Sequence, residues 1–364
     1  MNNKNEKHGI LSVLKYTGAF IAWVIGAGFA TGQEILQFFS SYEYASYGVV
    51  LANFIGFMLL GRIIVTNGYD HRDAVQLNHF ADFCGKKLGL LYSWLIQVTL
   101  VLLMSVLVSG GGATLFEYYG IHKYIGSALM SCLVLCAYLV GFEKMVKIVS
   151  MISPLIIFFT LFVGTVTVIR DIGNFTEIEN YASVLNNTKA SPNWVLSAVL
   201  YLSLNFLSGS TYYTALGAKA ESRKSIQLGA LFGTIALIIS IAIMNTAILL
   251  NVENASSLAI PTLYLAKKIS YSIGAVFSVM LILGIFSSCS TMMWTVCGKI
   301  FPVDIRRNRI SAVAVSIGTF IISLFPFSRL VNVFYPFVGY MGLVFVGCVI
   351  CKGIKNHWRT KIVK

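Results

Sequence analysis

One acidic side chain in this sequence lies where an acid is costly. Glu34 belongs to the apolar stretch 16–39, which also contains Gly26, Gly28 and Gly32. Inside a bilayer an ionised carboxylate costs about 2.5–3.5 kcal/mol near the centre, so it must be paired, protonated or in contact with water. The chain has 14 acidic residues, and all the others fall in tails, loops or the ends of apolar stretches. Glu34 is therefore the first residue to consider for chemistry.

The three glycines of this stretch predict a break in its helix. Unwound backbone in the middle of a membrane is tolerated where its amides and carbonyls line a cavity or bind a ligand. Glycine lets the backbone turn and lets a ligand approach, and the ends of half-helices add partial charges of both signs. The alternative is close helix packing, for which Gly26 and Gly32 are also suited. A second polar interruption at 205–211 favours the cavity.

The composition indicates an integral membrane protein. The chain has 364 residues, of which 57% are hydrophobic and 11% charged, and a soluble domain of this length would not expose so apolar a surface. Apolar runs long enough to cross a bilayer predict an all-α fold with ten transmembrane helices. These predicted spans are approximately 14–40, 45–66, 88–116, 123–141, 145–169, 193–218, 225–250, 271–299, 309–326 and 330–351.

The positions of the basic residues along the chain explain the net charge of +13. With the N-terminus inside, 21 of the 27 Lys and Arg residues fall in segments predicted to be cytoplasmic and 6 in segments predicted to be outside. Cationic loops stay on the cytoplasmic side of a membrane. The bias predicts a multi-pass protein of the cell membrane with both termini in the cytoplasm. Lipid is then the expected partner, and nucleic acid is not.

Three pairs of features predict an internal repeat. They are the breaks at 26–32 and 205–211, the polar stretches 109–112 and 287–291, and the amphipathic segments 77–87 and 256–268. The lysine pairs that end the amphipathic segments lie 181 positions apart, and the other pairs have nearly the same offset. The prediction is two five-helix repeats, 1–170 and 171–364, and because five is odd the second is inverted in the membrane. The alternative is a chance alignment of glycine-rich positions.

The stretch 25–34, Ile-Gly-Ala-Gly-Phe-Ala-Thr-Gly-Gln-Glu, together with the predicted spans and the chain length, resembles the YkvI family of bacterial membrane proteins. That family looks like a member of the amino acid–polyamine–organocation superfamily, which has the LeuT fold. The resemblance implies a five-plus-five inverted repeat with the first and sixth helices broken around a central site. It also implies secondary active transport by alternating access, coupled to Na⁺ or H⁺, of a small amino-acid-like or related polar solute.

The resemblance further implies a sodium site between the first and eighth spans. Its ligands are the carbonyls of Ala22 and Ile25 and the hydroxyls of Ser287 and Ser288, hard oxygen donors of a kind that suits Na⁺. Alternatively, the two hydroxyls bond to their own helix backbone. Phe29 stands where an asparagine helps to hold a second sodium in neurotransmitter-type relatives, so a second sodium site is not expected.

The implied solute site lies between the two breaks. A solute carboxylate would meet backbone amides near the glycines of the first span, with the sixth span across the cavity and the third span as a third wall. Trp23 and Tyr212 flank the breaks and are candidates to cover the solute. The residues assigned to solute binding are Gly26, Ala27, Gly28, Ser109, Gly110, Asn205, Ser208, Gly209 and Ser210.

Glu34 has its own hypothesis. A rise of 1.5 Å per residue places it roughly 10 Å from the middle of the first span toward the outside, in an outer vestibule. There it would act as an external gate or attract cations, in a pair with Arg329. The alternative is a structural contact that fixes the half-helix.

Lys144 and Lys147 either supply an amine in place of sodium, as in some superfamily members, or anchor the fifth span at the inner surface.

The function classes can then be ordered. Paired carboxylates, a histidine cluster and a nucleophile–base pair are all missing from the predicted spans, so an enzyme is not expected. The leading prediction is a transporter of a small solute that needs no cofactor beyond a coupling ion. The alternative is a LeuT-fold receptor or signalling protein that binds a small solute without net transport.

Overall fold

The protein is helical throughout the residues that the structure describes. This computed structural model describes residues 2–72, 78–140, 142–300 and 304–362, and the side chains of Lys144 and Lys147 lie outside the described part. The α-helices are α1 (Asn2–Val24), α2 (Ala27–Thr31), α3 (Gln33–Phe38), α4 (Ser46–Asp70), α5 (His79–Tyr119), α6 (Lys123–Val140), α7 (Phe142–Asp171), α8 (Ala182–Asn186), α9 (Trp194–Ala218), α10 (Arg223–Leu249), α11 (Val252–Ala255), α12 (Pro261–Ile269), α13 (Tyr271–Ile300), α14 (Ile305–Ser323) and α15 (Phe327–Ile362). Two 3₁₀ helices, Ser40–Ala45 and Ile172–Tyr181, precede α4 and α8.

Within these described ranges, eight helical segments are long and apolar enough to cross a membrane. They are Ser40–Asp70, His79–Tyr119, Lys123–Val140, Pro154–Ile178, Trp194–Ala218, Arg223–Leu249, Tyr271–Ile300 and Phe327–Lys355. The most apolar part of each has a mean hydropathy between 1.2 and 2.3. The chain is therefore a multi-pass, all-α membrane protein, as its composition predicted.

Two of the predicted spans, 14–40 and 309–326, are not among those eight segments. The first is divided among α1, α2 and α3. The second corresponds to α14, which begins with Arg306, Arg307 and Arg309 and so has a shorter apolar part. α14 nevertheless packs against α5, α6 and α13 and belongs to the same bundle.

The break predicted in the first span is confirmed. α1 ends at Val24, Gly26 has an extended backbone with φ −105° and ψ −159°, and α2 begins at Ala27. Gly32 separates α2 from α3 with φ +82°. Glycine is the residue type for which this left-handed conformation carries little penalty. Two glycines thus divide one apolar stretch into three helices.

The break predicted in the sixth span is wrong, because α9 is a continuous helix from Trp194 to Ala218. Three polar side chains of the interrupted stretch, those of Asn205, Ser208 and Ser210, hydrogen-bond to carbonyls of their own helix. Ser210 Oγ, for example, donates to the Leu207 carbonyl at 3.0 Å. Polar side chains can be satisfied within an intact helix in this way, so they did not require the backbone to unwind.

The predicted amphipathic segment 77–87 and the span 88–116 are joined in α5. Gly85 interrupts the helical geometry with φ +79° and ψ 169°, so residues 79–84 form a separate turn before the long helix. His79, Phe80 and Phe83 of this turn are buried. Leu77, the first residue of the predicted amphipathic segment, lies outside the described residues.

α9 is the most enclosed of the long helices. Of its most apolar 18 residues 72% are buried, against 33–56% in the other seven segments. A Cβ on Gly68 of α4 or on Gly217 of α9 would clash with a backbone carbonyl of the other helix. Gly339 and Gly342 of α15 make the same kind of contact with carbonyls of α9. Small residues allow such close helix packing in membranes.

The contacts between helix ends agree with the predicted topology. At one end of the bundle the Arg223 guanidinium lies 2.9 Å from the Asp70 carboxylate, and both residues belong to segments predicted to be cytoplasmic. At the other end Lys268 Nζ lies 2.8 Å from the Asp171 carboxylate, in segments predicted to be outside. Segments assigned to the same side of the membrane therefore meet one another.

Replacing Gly217 by alanine is expected to destabilise the bundle. The added Cβ would meet the carbonyl of Val65, and because that partner is backbone, α4 and α9 must separate. We expect a loss of roughly 1–3 kcal/mol, measured as a lower melting temperature of the purified protein in detergent. Gly347→Ala is the matched control, since no heavy atom lies within 4 Å of its added Cβ. Equal losses in both variants would contradict this account of the α4–α9 contact.

Candidate functional site

A cavity opens at the break between α1 and α2. It contains about 510 Å³ of empty space, a figure that includes open solvent on its open side. Residues of α1, α2, α3, α5, α9, α13 and α15 form its wall. The lining residues are Trp23, Val24, Gly26, Ala27, Gly28, Glu34, Leu103, Leu107, Leu204, Asn205, Ser208, Ser288, Met292 and Tyr335.

Glu34 directs its carboxylate into this cavity. The side chain reaches back from α3 to α2, so a Cβ added to Gly28 would overlap the carboxylate. The same Cβ would lie 2.9 Å from the Tyr335 hydroxyl, which donates a hydrogen bond to the Glu34 carboxylate. Only glycine at position 28 leaves room for this arrangement of acid and phenol against the backbone.

The predicted pair between Glu34 and Arg329 is wrong. Arg329 is exposed near the start of α15, six residues before Tyr335, and six residues correspond to roughly 9 Å along a helix. The turn at Gly32 starts a new helix, and this brings Glu34 back toward Gly28. Glu34 therefore lies at the level of the break, where its described partner is Tyr335.

The polar residues of α9 that line the cavity are held by their own helix. Asn205 Nδ2 donates to the Tyr201 carbonyl at 3.0 Å, and Ser208 Oγ donates to the Leu204 carbonyl at 2.7 Å. The Asn205 amide oxygen and the Ser208 hydroxyl oxygen remain as acceptors. Together with the Glu34 carboxylate across the cavity, they give the wall hydrogen-bond acceptors on two sides.

Trp23 forms an aromatic part of the wall. Its ring stacks on Tyr212, with ring centroids 5.4 Å apart and planes inclined by 26°. Gly209 makes this contact possible, because a Cβ there would meet the indole ring. Two aromatic residues were predicted to cover the solute. Trp23 lines the cavity, and Tyr212 stacks on Trp23 without lining the cavity.

Of the four predicted sodium ligands, one lies at the cavity. Ser288 lines the cavity, and its Oγ lies 3.6 Å from the position of a Cβ on Gly26. Ala22, Ile25 and Ser287 are not lining residues. The Ile25 amide donates to the Ile21 carbonyl at 2.9 Å as a continuation of α1. Ser288 is therefore the hydroxyl of α13 that meets the helix break.

Three other residues predicted to bind the solute lie elsewhere. Ser109 Oγ donates to the Phe325 carbonyl at 2.9 Å, and Gly110 faces the Phe327 ring. Ser210 is directed toward His79, whose Nε2 lies 3.3 Å from its Oγ. The prediction of a third wall around Ser109 and Gly110 is corrected, because the small residues at this level of α5 serve helix packing.

Other residues of the wall were missed by sequence reasoning. Leu103 and Leu107 of α5 form the third wall, and Met292 and Tyr335 complete the sides formed by α13 and α15. Apolar residues within a span give no signal that separates a cavity from lipid. Tyr335 did give a weak signal in the sequence, because it is a tyrosine next to Pro336 in the interior of a predicted span.

Two short segments cover opposite ends of this region. From α12, Thr262 Oγ1 donates to the Ala30 carbonyl at 2.5 Å, so this segment rests on α2. From the turn before Gly85, His79 Nε2 lies 3.3 Å from the hydroxyls of both Ser210 and Thr211 on α9. The two segments are the pair 256–268 and 77–87 that the sequence repeat matched with each other.

Comparison with known proteins gives relatives over nearly the whole chain. No family model matches. The chain is 25% identical to the membrane protein YkvI of Bacillus subtilis, over 92% of this chain and 94% of the relative. It is 23% identical to the protein YyaD of the same organism, over 95% of this chain and 98% of the relative.

Solved structures share the fold at much lower sequence identity. Two variants of a manganese transporter from Eremococcus coleocola match with TM-scores of 0.54 and 0.55, at 14% identity. In each case the match covers 94% of this chain and 78% of the other. The chain is thus similar to the Bacillus membrane proteins in sequence, and it shares its helical membrane fold with the Eremococcus protein.

Proposed function

We propose that this chain is a secondary transporter that moves a small amino-acid-like or related polar solute by alternating access. The observation that carries the proposal is the helix broken at Gly26 and Gly32, which opens onto a cavity with a carboxylate in its wall. Discontinuous helices beside a central site are typical of secondary transporters. We also propose ten spans in a LeuT-like fold, with 1–170 and 171–364 as inverted repeats and both termini on the cytoplasmic side of the cell membrane.

Reciprocal helix contacts support the inverted repeat. In the proposed correspondence α1 matches α9, α4 matches α10, α5 matches α13 and α6 matches α14. α4 packs on α9 as α1 packs on α10, and α5 packs on α14 as α6 packs on α13. Two halves related by a pseudo-twofold axis produce exchanged pairs of this kind. The halves differ at their first helices, since the first is broken and α9 is continuous.

The shared fold supports transport as the general activity. The Eremococcus protein is named for manganese, but the residues described here favour a different cargo for this chain. They contain no group of three or more His, Cys, Asp or Glu side chains that could hold a metal ion. The cavity wall combines one acid with an amide, two hydroxyl-bearing serines and apolar side chains. That mixture fits a small organic solute, and it contains no set of residues suited to catalysis.

A Na⁺ or H⁺ gradient is the proposed driving force. Ser288 beside the break supports a Na⁺ site on α13, to which we assign the hydroxyl of Ser287 and the carbonyls of Ala22 and Ile25. The covers at the two ends of the cavity region are the proposed sites of alternate opening. Arg329, exposed at the start of α15, is the proposed cationic residue of the outer entrance.

Uptake into proteoliposomes tests the proposed function. The full-length protein would be reconstituted and given a panel of radiolabelled amino acids and related amines, with an imposed Na⁺ gradient, an imposed H⁺ gradient or neither. We expect at least one solute to accumulate with a gradient and to leak out when an ionophore removes that gradient. Saturable binding without accumulation under either gradient would instead identify a receptor.

A pair of glycine variants tests the role of the break. Gly28→Ala should lower uptake more than tenfold, or about 1.4 kcal/mol, because the new Cβ displaces the Glu34 carboxylate. Gly26→Ala should stay within about twofold, as is usual for substitutions that create no clash, since its Cβ would meet its nearest neighbour at 3.6 Å. Initial rates would be compared at equal amounts of reconstituted protein. Equal losses in both variants would contradict a specific role for the space at Gly28.

A second pair tests the proposed sodium site. NaCl, compared with KCl, should raise the melting temperature of the detergent-solubilised protein. Ser288→Ala should increase the half-saturating Na⁺ concentration roughly tenfold, equivalent to about 1.4 kcal/mol. Ser290→Ala is the control, because Ser290 is on the same helix and its buried hydroxyl has no hydrogen-bond partner. An unchanged Na⁺ response in Ser288→Ala would exclude that hydroxyl as a ligand.

A further inference from the structure

The charge of the cavity wall is unbalanced. Glu34 carries the only formal charge among the lining residues, and no Lys, Arg or His lines the cavity. Its described partner, the Tyr335 hydroxyl, is a neutral donor. A desolvated carboxylate with one neutral hydrogen bond lacks most of the compensation that water would give it. A cationic group in the cavity would supply that compensation.

The uncharged polar atoms of the wall point to the same kind of ligand. Ser208 uses its hydroxyl hydrogen on the Leu204 carbonyl, and Asn205 uses an amide hydrogen on the Tyr201 carbonyl. The Asn205 and Ser208 oxygens remain as acceptors, and Asn205 keeps one further amide hydrogen as a donor. An ammonium group carries three donors and no acceptor, so it matches a site made of a carboxylate and acceptor oxygens.

A carboxylate on the solute has no corresponding place. The resemblance to amino acid transporters predicted that such a group would lie near the amides of Gly26 and Gly28. The Glu34 carboxylate already occupies the space in front of Gly28. A second carboxylate at this position would be repelled by the first, and the cavity wall offers no basic side chain to pair with it.

The aromatic residues around the acid also suit a cation. Trp23 and Tyr335 both line the cavity, and the faces of aromatic rings attract ammonium groups. Leu103, Leu107 and Met292 supply apolar surface for a short alkyl chain.

We propose that the transported solute is a small organic amine without a carboxylate, bound as its ammonium ion by the Glu34 carboxylate. The proposal rests on the proposed transport function and specifies its substrate class. The amine end lies between Glu34 on one side and the acceptor oxygens of Asn205 and Ser208 on the other. Its alkyl part lies against the apolar wall formed by α5 and α13.

Three compounds that share a branched four-carbon group test the charge preference. Isobutylamine is a cation, valine adds a carboxylate to it, and 3-methylbutanoate carries the carboxylate alone. Each would be titrated into the full-length protein in detergent, at constant ionic strength in KCl, while the melting temperature is followed. We expect a saturable rise with isobutylamine and at least tenfold weaker responses to valine and 3-methylbutanoate. An equal or stronger response to valine would overturn the proposal.

Variants identify the residue that recognises the amine. Glu34→Gln should weaken the isobutylamine response at least tenfold, whereas Glu34→Asp, which keeps the charge, should retain the preference for the cation over valine. Glu177→Gln changes the net charge equally at an exposed position outside the cavity and should leave the response unchanged. An unchanged response in a folded Glu34→Gln protein would overturn the assignment, and so would loss of the cation preference in Glu34→Asp.

Inorganic cations are the remaining ligands to be tested. NaCl and MnCl₂ would be titrated into the wild-type protein and into Glu34→Gln. Stabilisation by either salt that depends on Glu34 and prevents the isobutylamine response would assign the carboxylate to a metal ion and overturn the proposal. This outcome is distinct from failure of the transport function. Amine binding without accumulation in proteoliposomes contradicts transport, whereas accumulation of neutral or anionic solutes alone contradicts the substrate class.

Discussion

The broken first span depends on hydrogen-bond partners for the backbone groups that the break leaves unpaired. A bilayer offers no water to backbone carbonyls, so each must be satisfied within the protein. Thr31 Oγ1 donates to the Gly28 carbonyl at 2.6 Å from within α2, and Ser197 of α9 donates to the Phe38 carbonyl at the end of α3 at 2.7 Å. Side-chain hydroxyls thus supply donors that a continuous helix would have provided from its own amides.

These partners also fix where the cavity lies. Helices of five and six residues, such as α2 and α3, are too short to be stable alone, so their positions are set by what they contact. Gln33 Nε2 donates to the Leu258 carbonyl at 2.8 Å, and Gln37 Nε2 donates to Asn332 Oδ1 at 2.8 Å. Contacts on both sides of Glu34 therefore hold α3 in the orientation that directs the acid toward Gly28.

The sequence predicted the parts of this arrangement that depend on backbone chemistry. The glycines marked the break because glycine weakens a helix, and Gly32 did so also because few other residues tolerate its left-handed turn. Glu34 stood out because a carboxylate is costly in a membrane. The polar run at 205–211 was misleading, since Ser and Asn side chains can either line an unwound segment or bond to their own helix. Sequence alone does not distinguish these two outcomes.

The remaining errors concern contacts between distant parts of the chain. Glu34 was expected beside Arg329 from its distance along a straight helix, but the turn at Gly32 redirects α3 and leaves Tyr335 as its described partner. Ser109 and Gly110 were expected in the cavity wall, whereas Leu103 and Leu107 are there. Polarity indicated which residues were unusual, but the packing of each helix decided which of them met.

The difference between the two first helices of the proposed repeats limits how access to the cavity can change. α9 is continuous, enclosed and in backbone contact with α4 and α15 through glycines, so bending it would break close contacts on two sides. α2 and α3 are separated from α1 and from each other by flexible glycines, and the turn 79–84 is joined to its long helix at Gly85, which has φ +79°. Motion is therefore less costly in these short segments than in α9. Under the proposed alternating access, the wall that carries the acceptor oxygens of Asn205 and Ser208 would stay fixed, and the wall that carries the acid would move.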